Sequence, residues 1–123
     1  MNSTNPRVTK EPKTAPIVVV IDDNPRNLAL LSDHLLVGGF DAVVFDNAAE
    51  ALERVLWFPP AAIIVDLFMP EMSGIEFLNE LQQRVEGNMP PCLVLSCADD
   101  EKSVTAAFEF GASDYLQKPY AKG

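Results

Sequence analysis

Residues 61–74 read AAIIVDLFMPEMSG. Five apolar residues, 61–65, run straight into Asp66, and the turn formers Pro70 and Gly74 follow within eight positions. A run this short, without polar alternation, predicts a strand buried on both faces rather than a helix. Its last act is to deliver one carboxylate into a loop. The same construction recurs upstream, where the apolar run 17–21 (IVVVI) ends in Asp22-Asp23-Asn24-Pro25.

Working outward from these two segments, strand-like runs fall at about 16–22, 40–45, 61–66, 91–96 and 112–117. Helical patterns separate them. Asn24-Pro25 supplies an N-cap and an N1 proline ahead of Leu28, Leu31 and Leu35, with Gly38-Gly39 as a stop. Asn47 with Glu50 opens a second helix carrying Leu52, Val55 and Leu56. Ser73 and Glu76 form a capping box before Phe77, Leu78, Leu81 and Val85, and Gly87-Asn88 is the predicted end. Asp99, Asp100 and Glu101 put negative charge on the first turn of a fourth helix that closes at Gly111. Five strands alternating with four helices predict βαβ units and an α/β fold on a parallel sheet. Trp57 and Phe58, ahead of Pro59-Pro60, are expected to pack at a helix end.

The 123 residues fit one domain, with the apolar (48%) and charged (22%) content of an ordinary globular protein. No apolar run approaches the ~20 residues needed to cross a bilayer, and no signal peptide is evident, so a cytoplasmic location is expected. Net charge is −9, yet residues 1–15 carry Arg7, Lys10 and Lys13 against Glu11. That segment is +2 and the remainder −11, which argues against nucleic-acid binding by the domain itself. With few large apolar residues, 1–15 reads as a disordered leader or linker. Cys92 and Cys97 are five apart on one apparent strand, too far at about 3.3 Å per residue to bond each other. Reduced, core-type thiols are the expected state. His34 has no metal-spaced companion and reads as a helix-surface residue.

In an open parallel sheet, ligands bind at the carboxyl ends of strands where the order reverses. If the order is 2-1-3-4-5, strands one and three are neighbours there, and Asp22, Asp23 and Asp66 converge. Three like charges this close need a counter-charge, which predicts a hard divalent cation; oxygen-only ligands suit Mg²⁺. Ser96 ends strand four with a hydroxyl, and Lys118, before Pro119, ends strand five with an ammonium. Carboxylates, a metal, a hydroxyl and a cation suit phosphoryl transfer, with one carboxylate as nucleophile. Asp66 is the best candidate because it stands alone, leaving the acidic pair to hold the metal. The loop bearing Met69, Pro70 and Gly74 is expected to leave it exposed at the strand tip.

Asp22-Asp23, Asp66 with Met69-Pro70 and Gly74, Ser96, and the run GASDYLQKP at 111–119 resemble the receiver domain of two-component response regulators. The likeness covers about residues 16–120. It implies a flavodoxin-like, doubly wound five-stranded sheet in the order 2-1-3-4-5, with residues 16–123 as a receiver whose fifth helix is absent or truncated. It implies that Asp66 accepts a phosphoryl group from a phosphohistidine on a sensor histidine kinase or histidine phosphotransfer protein. Asp23, Asp66 and the backbone carbonyl of Phe68 would ligate Mg²⁺, with Asp22 acting through a bound water. Ser96 would bind the phosphoryl oxygens, Lys118 would pair with Asp66 and then the phosphate, and Tyr115 would turn inward with Ser96. The Lys118–Pro119 bond is often cis in the family. A homodimer through the fourth helix and fifth strand also follows by resemblance. If no fifth helix follows, one face of the sheet is left an apolar patch.

Two positions depart from the family pattern: Cys97 stands where a small residue is usual, and Phe68 is bulky. Both flank the path of phosphodonor and water. Two other classes compete. A magnesium-dependent aspartyl-phosphate phosphatase would want an acid two residues past the nucleophile, where Phe68 stands. A degenerate receiver acting only as a binding module would lack an acid or the lysine, and none is missing. An FMN carrier would want a Ser/Thr/Gly-rich loop after strand one, and Rossmann and P-loop glycine patterns are absent.

Overall fold

The structure, a computed structural model, describes residues 14–96 and 101–118. The elements run β1 (Ile17–Ile21), α1 (Pro25–Val37), β2 (Asp41–Phe45), α2 (Ala48–Trp57), β3 (Ala62–Asp66), α3 (Gly74–Arg84), β4 (Cys92–Ser96), α4 (Glu101–Glu109) and β5 (Asp114–Gln117). All pairings are parallel and the order is β2-β1-β3-β4-β5, the flavodoxin-like arrangement. The expected leader lies almost wholly outside the described residues, as do Cys97, Asp99, Asp100, Pro119 and the segment where a fifth helix would begin.

Alternation along the strands sorts the core into two layers. Val19, Ile21, Ile63, Val65 and Val94 meet α2, α3 and α4 through Val55, Phe77, Leu78, Leu81 and Ala107. Val18, Val20, Ile64 and Leu95 meet Leu28 and Leu31 of α1. Among the described residues, α1 is the one helix on that second face. The face is nonetheless largely closed, because Val18, Val20 and Ile64 are all buried. What remains open is an apolar groove of about 320 Å³ bordered by Leu35, Phe40, Ala62 and Leu93.

Local chemistry sets the helix ends. The Asn24 side chain accepts the N–H groups of Arg26 and Asn27, Asn47 accepts that of Glu50, and Ser73 with Glu76 closes a reciprocal box. Two expectations need correction. α3 ends at Arg84, short of Gly87, because Val85 turns extended and joins the core while its N–H still bonds the Leu81 carbonyl. Trp57 and Phe58 do not pack at the helix end: they are 75% and 64% exposed. Arg54 takes that place, 5.2 Å from the Phe58 ring centroid and donating to the Phe58 carbonyl at 2.8 Å. No helix among the described residues is long and apolar enough to cross a membrane.

Candidate functional site

Register brings the acids together. Ile21 pairs with Val65, so the next residues, Asp22 and Asp66, stand level at the ends of adjacent strands. Asp66 pairs with Leu95 and Ser96 with Gln117, which sets Ser96 and then Lys118 on the same rim. One carboxylate oxygen from each of Asp22, Asp23 and Asp66 lies within 4.8 Å of the others. Lys118 Nζ donates to Asp66 Oδ2 at 2.7 Å and sits 3.8 Å from Asp22 Oδ2. The Phe68 N–H donates to Asp66 Oδ1 at 3.2 Å.

Burial corrects one expectation. Asp66 is not exposed at its tip but only 4% accessible, and Asp22 is fully buried; Asp23 is the acid that faces solvent. The reason is local. Lys118 lies over Asp66 on one side, and the loop after it folds back so that the Gly74 N–H bonds the Leu67 carbonyl at 2.9 Å. Glu71 within this loop takes φ 71°, a left-handed conformation costly for a residue with a Cβ.

Burial also raises the Asp66 carboxyl above the ordinary aspartate value of 3.8. The hydrogen bonds from Lys118 and Phe68 and the lysine charge oppose that rise, while the Asp22 charge adds to it. The folded state therefore holds this proton more tightly than the unfolded chain. The associated stability is complete below 3.8 and is lost as pH rises through the raised value. In chelator, denaturant melts across the acidic range should show that loss in wild type and not in Asp66→Asn. Parallel pH curves for the two proteins would refute it.

Ser96 is buried, and its hydroxyl has no hydrogen-bond partner among the described residues. Buried polar groups are rarely left unpaired, so this hydroxyl at the end of β4 is an exception that calls for an explanation. Two buried acids and one exposed acid, with the Lys118 ammonium in contact, leave an excess of negative charge on oxygen ligands alone. That donor set fits a hard divalent cation such as Mg²⁺. Tyr115 is 46% exposed, its ring edge-on to Phe108 with centroids 6.4 Å apart. Phe68 is also largely exposed at the mouth of the site. His34 is on the helix surface, as expected. The buried Cys92 thiol is pushed up to about 12 by desolvation and donates to the Pro90 carbonyl, so it is an inert core group.

Sequence reasoning misses two residues. Asn27 Nδ2 donates to Asp22 Oδ2 at 3.1 Å. Gly74, a turn former just after the Ser73 cap in the sequence, starts α3 packed directly on the backbone of Asp66 and Leu67, a close approach that nothing in the sequence signals. A signal for Asn27 is present: a donor three residues after a cap that follows two acids.

Fold and rim together define a class, the doubly wound α/β proteins that gather acidic and cationic side chains at the switch point between β1 and β3. Within that class the chain belongs to the response regulator receiver domain family, whose pattern matches residues 18–123. It is thus a receiver domain of the two-component type. It is 36% identical over 104 residues to the transcriptional regulatory protein KdpE of Mycobacterium tuberculosis, covering 85% of this chain and 45% of that protein. The alkaline phosphatase synthesis transcriptional regulatory protein PhoP of Bacillus subtilis is 32% identical over 104 residues, with 85% and 42% covered. The chain spans less than half the length of these curated relatives. Among solved structures, the chemotaxis protein CheY4 of Vibrio cholerae superposes with a TM-score of 0.80 at 24% identity, covering 88% of this chain and 90% of that one. A putative response regulator from Chloroflexus aurantiacus gives 0.77 at 28% identity, with 88% of each chain covered.

Proposed function

We propose that Asp66 accepts a phosphoryl group from a phosphohistidine on a sensor histidine kinase or histidine phosphotransfer protein. What supports this is the coupling of a buried strand-end carboxylate to Lys118 at 2.7 Å beside an unpartnered, buried Ser96 hydroxyl. An Asp66 carboxylate oxygen forms the new O–P bond as the donor's P–N bond breaks. The electron pair returns to the imidazole, which takes a proton from solvent. Lys118 and the Ser96 hydroxyl stabilise the anionic phosphoryl oxygens, and burial excludes competing water from the acceptor.

Asp23, Asp66 and the Phe68 carbonyl would hold Mg²⁺, with Asp22 in a supporting role. When bound, the ion neutralises charge on the transferring group. The product places a phosphate on β3 beside Ser96, and Tyr115, now outward on β5, is the aromatic placed to respond through β4.

Mg²⁺ binding is the direct test of the site. Calorimetric titration should show Asp23→Asn binding at least about tenfold more weakly than wild type, the order that even a supporting residue commands. Equal affinity would remove Asp23 from the metal site.

A further inference from the structure

Asp22 is buried completely, and its carboxylate needs partners. Oδ1 accepts the Asn24 N–H at 3.0 Å, Oδ2 accepts the Asn27 carboxamide at 3.1 Å, and Lys118 stands 3.8 Å from Oδ2. The first donor is backbone and survives any side-chain change at position 24. The ammonium sits closer to Asp66, at 2.7 Å. Asn27 is therefore the side-chain hydrogen bond that orients Asp22.

The helix start explains how Asn27 comes to do this. Asn24 is the cap, so Asn27 is the third helical residue, the position whose side chain usually reaches back to the cap N–H. In α3, Glu76 does so for Ser73. In α1 the cap N–H is already taken by Asp22, from the end of β1. The half-buried Asn27 carboxamide turns instead to the other oxygen of the same carboxylate. Strand end and helix start thus share one carboxylate between them.

We propose that Asn27 is a positioning residue for the cation site, fixing the Asp22 carboxylate so that it faces Asp23 and Asp66. The role calls for a neutral donor. An apolar side chain leaves Oδ2 without its short partner, and an acid at 27 repels it. The inference rests on the Mg²⁺ reading of the acidic cluster. Supporting hydrogen bonds of this kind set metal affinity through ligand orientation.

The test is calorimetric Mg²⁺ affinity of wild type, Asn27→Leu, Asp22→Ala and the double variant, with Asn27→Ala replacing Asn27→Leu should the latter fail to fold. Asn27→Leu is expected to bind about tenfold more weakly than wild type. On the Asp22→Ala background the same change should alter affinity less than about twofold, because both oxygens that Asn27 could reach are gone. A purely structural Asn27 would lower the melting temperature and leave this non-additivity absent. Wild-type affinity in Asn27→Leu and Asn27→Ala, or a full loss persisting without Asp22, overturns the inference while the Mg²⁺ reading stands. Failure of wild type to bind Mg²⁺ overturns both.

Discussion

Incubated with Mg²⁺ and a small phosphodonor, the wild-type chain should gain the mass of one phosphoryl group, and Asp66→Asn should gain none. The expectation follows from what the amide changes. Asparagine keeps the shape at the end of β3 and retains an oxygen for the Phe68 N–H, now 3.2 Å from Asp66 Oδ1. It removes the anionic nucleophile and the partner that holds Lys118 at 2.7 Å. Loss of a covalent nucleophile cannot be offset by the remaining site, so labelling should fall by at least about a hundredfold. Asp23 is the natural competitor, being the solvent-facing acid of the three. The short Lys118 hydrogen bond goes to Asp66, however, and the buried Ser96 hydroxyl ends β4, the strand next to the one that Asp66 ends. Intact mass spectrometry of both proteins decides the matter. An adduct of equal yield on Asp66→Asn would place the acceptor elsewhere.

Much of this site is legible in the sequence, for a physical reason. A parallel strand covered on both faces must be apolar throughout, so the first polar residue after it marks the strand end. Asp22, Asp66 and Ser96 are located in this way, and parallel register then sets such ends side by side. The helix caps are legible because Asn24, Asn47 and Ser73 carry their signal within four residues. Burial is less legible. The isolation of Asp66 in sequence suggests exposure, whereas its shielding comes from Lys118, 52 residues distant in the chain. Trp57 and Phe58 mislead for a related reason. Their size predicts packing, but the partner that Phe58 finds is the nearby Arg54. The end of α3 moves because Val85 gains more from the core than from another helical turn.

Gly74 gives the sharpest contrast between local and tertiary reasoning. It is the first residue of α3, where alanine's better helix propensity would favour Gly74→Ala by up to about 1 kcal/mol. A Cβ there, however, would fall against the Asp66 carbonyl oxygen, 2.8 Å from Leu67 Cα and 3.0 Å from the Asp66 carbonyl carbon. All three are backbone atoms of a strand end at the centre of the sheet, and none can swing aside as a side chain would. Overpacking against rigid surroundings costs about 1–3 kcal/mol, and backbone neighbours place this case near the upper end. The clash therefore wins, and Gly74→Ala should be destabilised by about 2 kcal/mol net of the propensity gain. Relief can come only by separating α3 from β3, which moves the Asp66 carboxylate away from Lys118. A displacement of about 1 Å at a reacting group can cost a hundredfold in rate, so phosphorylation should slow well beyond the fraction unfolded. Gly87→Ala is the control: it meets open space, with only its φ of 96° to oppose the change. Denaturant melts and initial labelling rates on both variants separate the two effects. A Gly74→Ala protein as stable as wild type, labelled at the wild-type rate, would mean that α3 can shift without disturbing Asp66.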